Sequence, residues 1–185
     1  MRNKVWGQAD SPPPLTLIFP LDNGEPMATV AITPNDDIIL AEIQIAAPPE
    51  RVFQAITDPR QMLQWWGQRG MYRTTKFETD VRVDGKWLSK GVSDTGETFQ
   101  VTGEYLEVDP PRLLVYTWLA SWTGTLKTTV RWELAPSNGG TLAKIQHSGF
   151  AGNPDAAKNH GQGWQRVLAW VQAFVENGET IDTRH

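Results

Sequence analysis

The run IQIAAPPERVFQAITDPRQMLQWWG at residues 43–67 constrains this chain more than any other part of it. Ile43 and Ile45 alternate with Glu42 and Gln44, the period-two pattern of a strand covered on one face. Pro48 and Pro49 end that strand, because proline cannot donate to a ladder, and their fixed φ suits the first turn of a helix. Glu50 complements the dipole there. Val52, Phe53 and Ile56 form an apolar stripe at helical spacing, and Asp58 before Pro59 disfavours the α region, so the helix is short. Met62, Leu63, Trp65 and Trp66 follow that break and begin a new piece. Two adjacent indoles at its end read either as a plug for the core or as the rim of a pocket.

Composition removes several classes of function. The 185 residues suffice for one domain with a substantial core. A net charge of −4 without a basic stripe argues against nucleic acid. The chain has no cysteine, which excludes disulfides, thiolate catalysis and zinc–thiolate sites. Its three histidines are scattered without ligand-like spacing, and there is no nucleophile elbow or phosphate-binding glycine loop, so no metal or other cofactor is expected. The apolar residues 15–19 are too few for a signal-peptide core and follow Ser-Pro-Pro-Pro, and no segment reaches the length of a membrane span; the expected location is cytoplasmic. Nine tryptophans are the outlying number, and six of them (Trp65, Trp66, Trp87, Trp118, Trp122, Trp132) lie from the first helical segment onward into the strand region. A buried indole N–H needs a partner, so some of these rings are expected to face a cavity.

Taken in order, residues 1–37 are punctuated by prolines, with Asp22-Asn23-Gly24 as a turn between 15–21 and 27–32; they read as an extension, partly ordered in its second half, either a tail or a hairpin at the sheet edge. A strand at 38–46 and the short helix follow. Strands are then expected at 73–83, 86–92, 98–108, 113–120, 125–134 and 141–149, with glycine supplying positive φ at the Asp84-Gly85 and Thr95-Gly96 turns. Val130, Trp132 and Leu134 share a core-facing side, as do Ala143, Ile145 and His147. Trp164, Val167, Leu168, Val171, Phe174 and Val175 mark a long helix over 155–177, stopped by Gly178. Gly161 and Gly163 near its start mark either a later helix start or a close backbone approach. Strand, short helix, six strands and long helix make an α+β fold with the helices on one face of an antiparallel sheet, and a space between sheet and helix is a ligand cavity if side chains leave it open.

The motifs APPERV at 47–52, TDP at 57–59, WWG at 65–67, VDPPRL at 108–113, YTW at 116–118, GGT at 139–141, HSGF at 147–150 and GQGW at 161–164 carry a family resemblance. The chain resembles the START-like helix-grip (SRPBCC) superfamily of birch-pollen-allergen-like proteins and polyketide cyclases. Within it the likeness is to homologues of the C-terminal domain of the activator of the heat-shock-protein-90 ATPase. It covers residues 38–178 and leaves 1–37 and the tail 179–185 outside. Asp84-Gly85 departs from the family's frequent Gly-Gly, but the turn survives. The resemblance implies a curved antiparallel sheet wrapped around a long C-terminal helix; for function it implies a range, from hydrophobic-ligand binding through cyclase chemistry to chaperone activation in the stress response.

His147, on the inward face with Ile145, is the candidate catalytic residue, set against a structural reading in which it hydrogen-bonds to hold the 149–150 loop. His160 reads as a solvent or cap residue. Asp80 and Arg82 read as a charged pair on a solvated strand face. The expected pocket set is Trp66, Phe77, Trp87, Tyr105, Trp118, Trp132, His147, Trp164 and Leu168, with Tyr105, Tyr116 and His147 supplying polar contacts. The first reading is a binding protein for a small hydrophobic molecule (lipid, aromatic or polyketide-like) and a monomer or weak homodimer. The alternatives are a cyclase- or dehydratase-like enzyme using His147 and a tyrosine, and a cochaperone-like protein with a heat-shock-protein partner.

Overall fold

The computed structural model describes residues 16–18 and 28–184. The strands are β1 (Thr16–Ile18), β2 (Thr29–Ile32), β3 (Ile38–Ile45), β4 (Gly67–Gln68), β5 (Tyr72–Thr79), β6 (Lys86–Ser93), β7 (Thr98–Asp109), β8 (Leu113–Ala120), β9 (Lys127–Ser137) and β10 (Gly140–Ser148), and the helices α1 (Pro49–Thr57), α2 (Pro59–Trp65) and α3 (Pro154–Asn177). All strands join one antiparallel sheet in the order β1-β2-β3-β10-β9-β8-β7-β6-β5-β4. Its long meander needs only hairpin turns, and β3 closes onto β10 with Ala41 opposite Ile145. Register shifts between Thr74 and Lys76 and between Tyr105 and Glu107 mark bulges, which bend and twist their strands. The bent sheet grips α3, as the helix-grip expectation requires.

Pro49 sits at the first position of α1, as its missing N–H allows. Asp58 ends α1 and caps α2, its carboxylate accepting the Arg60 N–H at 2.9 Å. The alternation in β9 and β10 puts Val130, Trp132, Leu134, Ala143, Ile145 and His147 on the buried side. Opposite them, α3 contributes Trp164, Val167, Leu168, Val171 and Phe174, all buried. Full burial of each such side chain is worth about 1.5–3 kcal/mol, so the α3 stripe is a major source of cohesion.

Several expectations are corrected. The strand foreseen at 73–83 stops at Thr79, and Asp80 and Arg82 pair at 2.8 Å in the bend beyond it, both side chains about half exposed or more. At Asp84-Gly85 the residue with positive φ is the aspartate (63°), which tolerates the left-handed region. Gly85 is needed for space: a Cβ there would overlap the Asp80 carbonyl. The N-terminal extension takes one of the two arrangements expected of it, with β2 on the free edge of β3 and β1 on β2; the turn expected at Asp22-Asn23-Gly24 lies outside the described residues. The segment after α3 packs back on the domain, with Ile181 and Arg184 buried.

Candidate functional site

Between the bent sheet and α3 lies a cavity of about 340 Å³, within the range of small-molecule sites. Phe77, Trp87, Tyr105, Tyr116, Trp118 and Trp132 form its sheet side, Val167, Trp164 and Gly163 its helix side, and Trp66, Met62 and Ile56 an end wall from the two short helices. Trp122, 55% exposed on the β8–β9 turn, marks the mouth together with Asn159 and His160. No Lys, Arg, Asp or Glu among the described residues lines it.

Eight of the nine residues expected from the sequence line this cavity; Leu168 does not. It is fully buried in the core, because it sits one residue along α3 from Val167 and about 100° round the helix. The tandem indoles divide the two roles between them. Trp65 is the plug, fully buried with Nε1 donating to the Ala55 carbonyl at 2.9 Å; Trp66 is the rim, stacked toward Trp118 at 6.3 Å and edge-on to Trp164 at 6.4 Å. Further ring contacts, Trp87 with Trp118 at 5.5 Å and Trp132 with Trp164 at 5.6 Å, make the walls a continuous aromatic surface.

Most of the wall's polar atoms are paired within the protein. Trp132 Nε1 donates to the Tyr116 hydroxyl at 3.0 Å, and Trp87 Nε1 to the Thr117 carbonyl at 3.3 Å. The Tyr105 hydroxyl pairs with Thr79 Oγ1 at 2.6 Å. His147 is held at both nitrogens: Trp164 Nε1 donates to Nδ1 at 2.9 Å, and Nε2 lies 2.7 Å from Thr128 Oγ1. An indole N–H only donates, so the imidazole proton is on Nε2, which donates to Thr128, whose hydroxyl in turn donates to the Trp118 carbonyl at 3.3 Å. His147 is a satisfied structural histidine tying β9, β10 and α3 together, with no lone pair left for base catalysis.

His160 is not the solvent residue the sequence led us to expect. Its Nδ1 donates to the Ala156 carbonyl one turn back at 2.8 Å, which turns the ring toward His147, 5.3 Å away, and beneath Trp122, with which it stacks at 6.2 Å. Nε2 of His160 and Nε1 of Trp118 are buried without a partner in the protein. Burial, reinforced by neighbouring His160, holds the pKa of His147 well below its ordinary value; burial also lowers His160, opposed by its bond to Ala156. Burial raises Tyr72, Tyr105 and Tyr116. The cavity is therefore uncharged at neutral pH. Among the described residues no group of three His, Cys, Asp or Glu could hold a metal. No helix among them is long and apolar enough to cross a membrane.

Sequence reasoning missed His160, Asn159, Trp122 and Gly163 as cavity residues. His160, Gly163, Trp164 and Val167 recur at three- and four-residue steps, so extending the α3 stripe backward through the glycines would have found the first of them.

A curved sheet gripping a long helix over an aromatic cavity defines a helix-grip protein of the START-like kind. Residues 46–176 match the family described as activator of Hsp90 ATPase homolog 1-like protein, and the chain belongs to that family. A protein of known structure from Chromobacterium violaceum is 30% identical, with a TM-score of 0.67 over 76% of this chain and 97% of that one. An AHSA1-like protein from Aeromonas hydrophila, solved in solution, is 23% identical, with a TM-score of 0.64 over 76% of this chain and 93% of that one. DynU16, from the dynemicin biosynthetic locus, shares the fold at 20% identity and a TM-score of 0.64, covering 81% of this chain and 50% of its own. No curated protein matches the chain significantly.

Proposed function

We propose that the protein binds a small, neutral, predominantly aromatic molecule between α3 and the sheet. The observation that carries this reading is the open cavity of about 340 Å³ whose walls are aromatic and uncharged. A filled core would need no such space, since interiors pack to crystal-like density. A charged ligand would lose its hydration and meet no counter-ion. The proposed contact set is Trp66, Phe77, Trp87, Tyr105, Trp118, Trp132 and Trp164, with His147 as a fixed part of the wall.

The cyclase-like reading stands second and shifts residue: His147 is engaged at both nitrogens, whereas Nε2 of the cavity-lining His160 is buried without a partner. That reading needs His160 as base and the Tyr116 hydroxyl as donor. The cochaperone reading draws on the family description alone, and the exposed Trp122 that could serve a protein partner already belongs to the cavity mouth.

The test is native mass spectrometry of protein purified from cells, with solvent extraction of any bound mass, followed by tryptophan-fluorescence titration with fused-ring aromatics. A discrete co-purified apolar compound, or saturable quenching by such probes, is the expected result. A ligand-free spectrum together with unchanged fluorescence across the panel overturns the proposal.

A further inference from the structure

The following inference rests on the cavity reading and deepens it by naming the chemistry of the ligand. Two buried polar atoms on the cavity-lining residues have no partner in the protein, Nε1 of Trp118 and Nε2 of His160. The cavity residues Trp87, Trp132, Trp164 and His147 all have theirs. Leaving a buried donor and a buried acceptor unmet costs stability, so the exception calls for an explanation.

The two orphans are complementary. The Trp118 indole can only donate. The His160 ring spends its proton on the Ala156 carbonyl at 2.8 Å, so Nε2 of the neutral ring can only accept. The rings meet edge to face at 6.2 Å and both residues line the cavity, with Trp122 stacked on His160; the two nitrogens are themselves covered, so a ligand group reaches them by parting the two rings. A group that meets both must accept one hydrogen bond and donate one. A carboxylate accepts from Trp118 but brings no proton for His160 and enters an uncharged wall. An ammonium donates to His160 and leaves Trp118 unmet. An ether serves Trp118 alone. A hydroxyl serves both.

We infer that the cavity selects aromatic molecules carrying a phenolic or enolic hydroxyl, whose oxygen accepts from Trp118 Nε1 and whose proton goes to His160 Nε2. The apolar remainder of the ligand lies against Trp66 and Trp164.

The test is a fluorescence or calorimetric titration of the full chain with naphthalene, 2-methoxynaphthalene, 2-naphthol and 2-naphthoate. At one hydrogen bond per step, 2-naphthol is expected to bind roughly five- to tenfold tighter than its methyl ether, and the ether tighter than naphthalene. In His160→Phe the naphthol and ether affinities become equal; in Trp118→Phe the ether loses its advantage over naphthalene. The wild-type series alone decides the matter if either variant fails to fold. Equal binding of naphthol, ether and naphthalene, or tighter binding of naphthoate, overturns this inference and leaves the cavity reading standing. Absence of binding by all four overturns both.

Discussion

Nε1 of Trp164 on α3 donates to Nδ1 of His147 on β10 at 2.9 Å, both side chains buried, and this bond joins the long helix to the floor of the sheet. Its other consequence is chemical: it leaves the ring's proton on Nε2 for Thr128, so three residues form one satisfied chain. Removing one member strands the others. We expect His147→Ala to cost about 2–4 kcal/mol and Trp164→Phe about 1–3 kcal/mol, from lost packing and unmet buried groups. The double variant should fall short of the sum of the two, with a coupling of about 0.5–3 kcal/mol. Urea denaturation of the four proteins checks this, and strictly additive costs would refute a direct His147–Trp164 interaction.

Acid should destabilise the fold earlier than carboxylate titration alone would. His147 and His160 both have folded-state pKa values below the ordinary 6.5, because burial penalises the charged ring. Below that pH the unfolded chain takes up protons that the folded chain refuses, so stability is full above about pH 6.5 and falls as pH drops beneath it. The slope is about 1.4 kcal/mol per pH unit for each histidine that stays neutral in the fold. Denaturation midpoints between pH 7.5 and 5.5 measure it. His147→Gln should flatten the fall; an unchanged slope in that variant would show that His147 is not its source.

Gly163 keeps the cavity open from the helix side. A Cβ placed there meets nothing within 4 Å, and the residue lines the cavity. Gly163→Ala should stabilise the protein by up to about 1 kcal/mol through helix propensity. Gly163→Leu adds bulk to the same space and should weaken fused-ring aromatic binding at least tenfold while the protein remains folded. Thermal denaturation and fluorescence titration together separate the two effects, and unchanged affinity in the leucine variant would mean that the ligand lies elsewhere.

The sheet and α3 were readable because each buries one regular face: Trp132 and Ile145 follow the two-residue period and Trp164 through Phe174 the helical one. Leu168 shows the limit of that reading. Periodicity says that a side chain faces inward, but whether it meets packed core or open cavity depends on what the opposite element leaves unfilled. His160 exposes another limit, since its inward turn depends on a bond to Ala156 and on the distant Trp122 that covers it. Asp84 was misread because Asp-Gly turns give no local sign of which residue takes the positive φ.

Arg184 was invisible for a related reason, lying in a short polar tail with no period at all. In the fold it is buried, with Nη1 donating to the Gly67 carbonyl at 2.5 Å and the Trp65 carbonyl at 3.3 Å, Nε to Glu179 at 2.8 Å, and its guanidinium 5.2 Å over Trp170. These bonds satisfy the Trp65 carbonyl that α2 leaves open at its end and reach the Gly67 carbonyl at the start of β4, and so bracket the turn that presents Trp66 to the cavity. Arg184→Met keeps the stem and removes the donors. We expect it to cost about 1.5–3 kcal/mol, the range for hydrogen bonds to charged groups, which for a chain of this size lowers Tm by roughly 2–4 °C per kcal/mol. Aromatic binding should weaken with it, because Trp66 loses its anchor. Calorimetry gives the first quantity and fluorescence titration the second. A variant within about 0.5 kcal/mol of wild type, inside the range of ordinary surface substitutions, would show the tail to be a passenger and not a clamp.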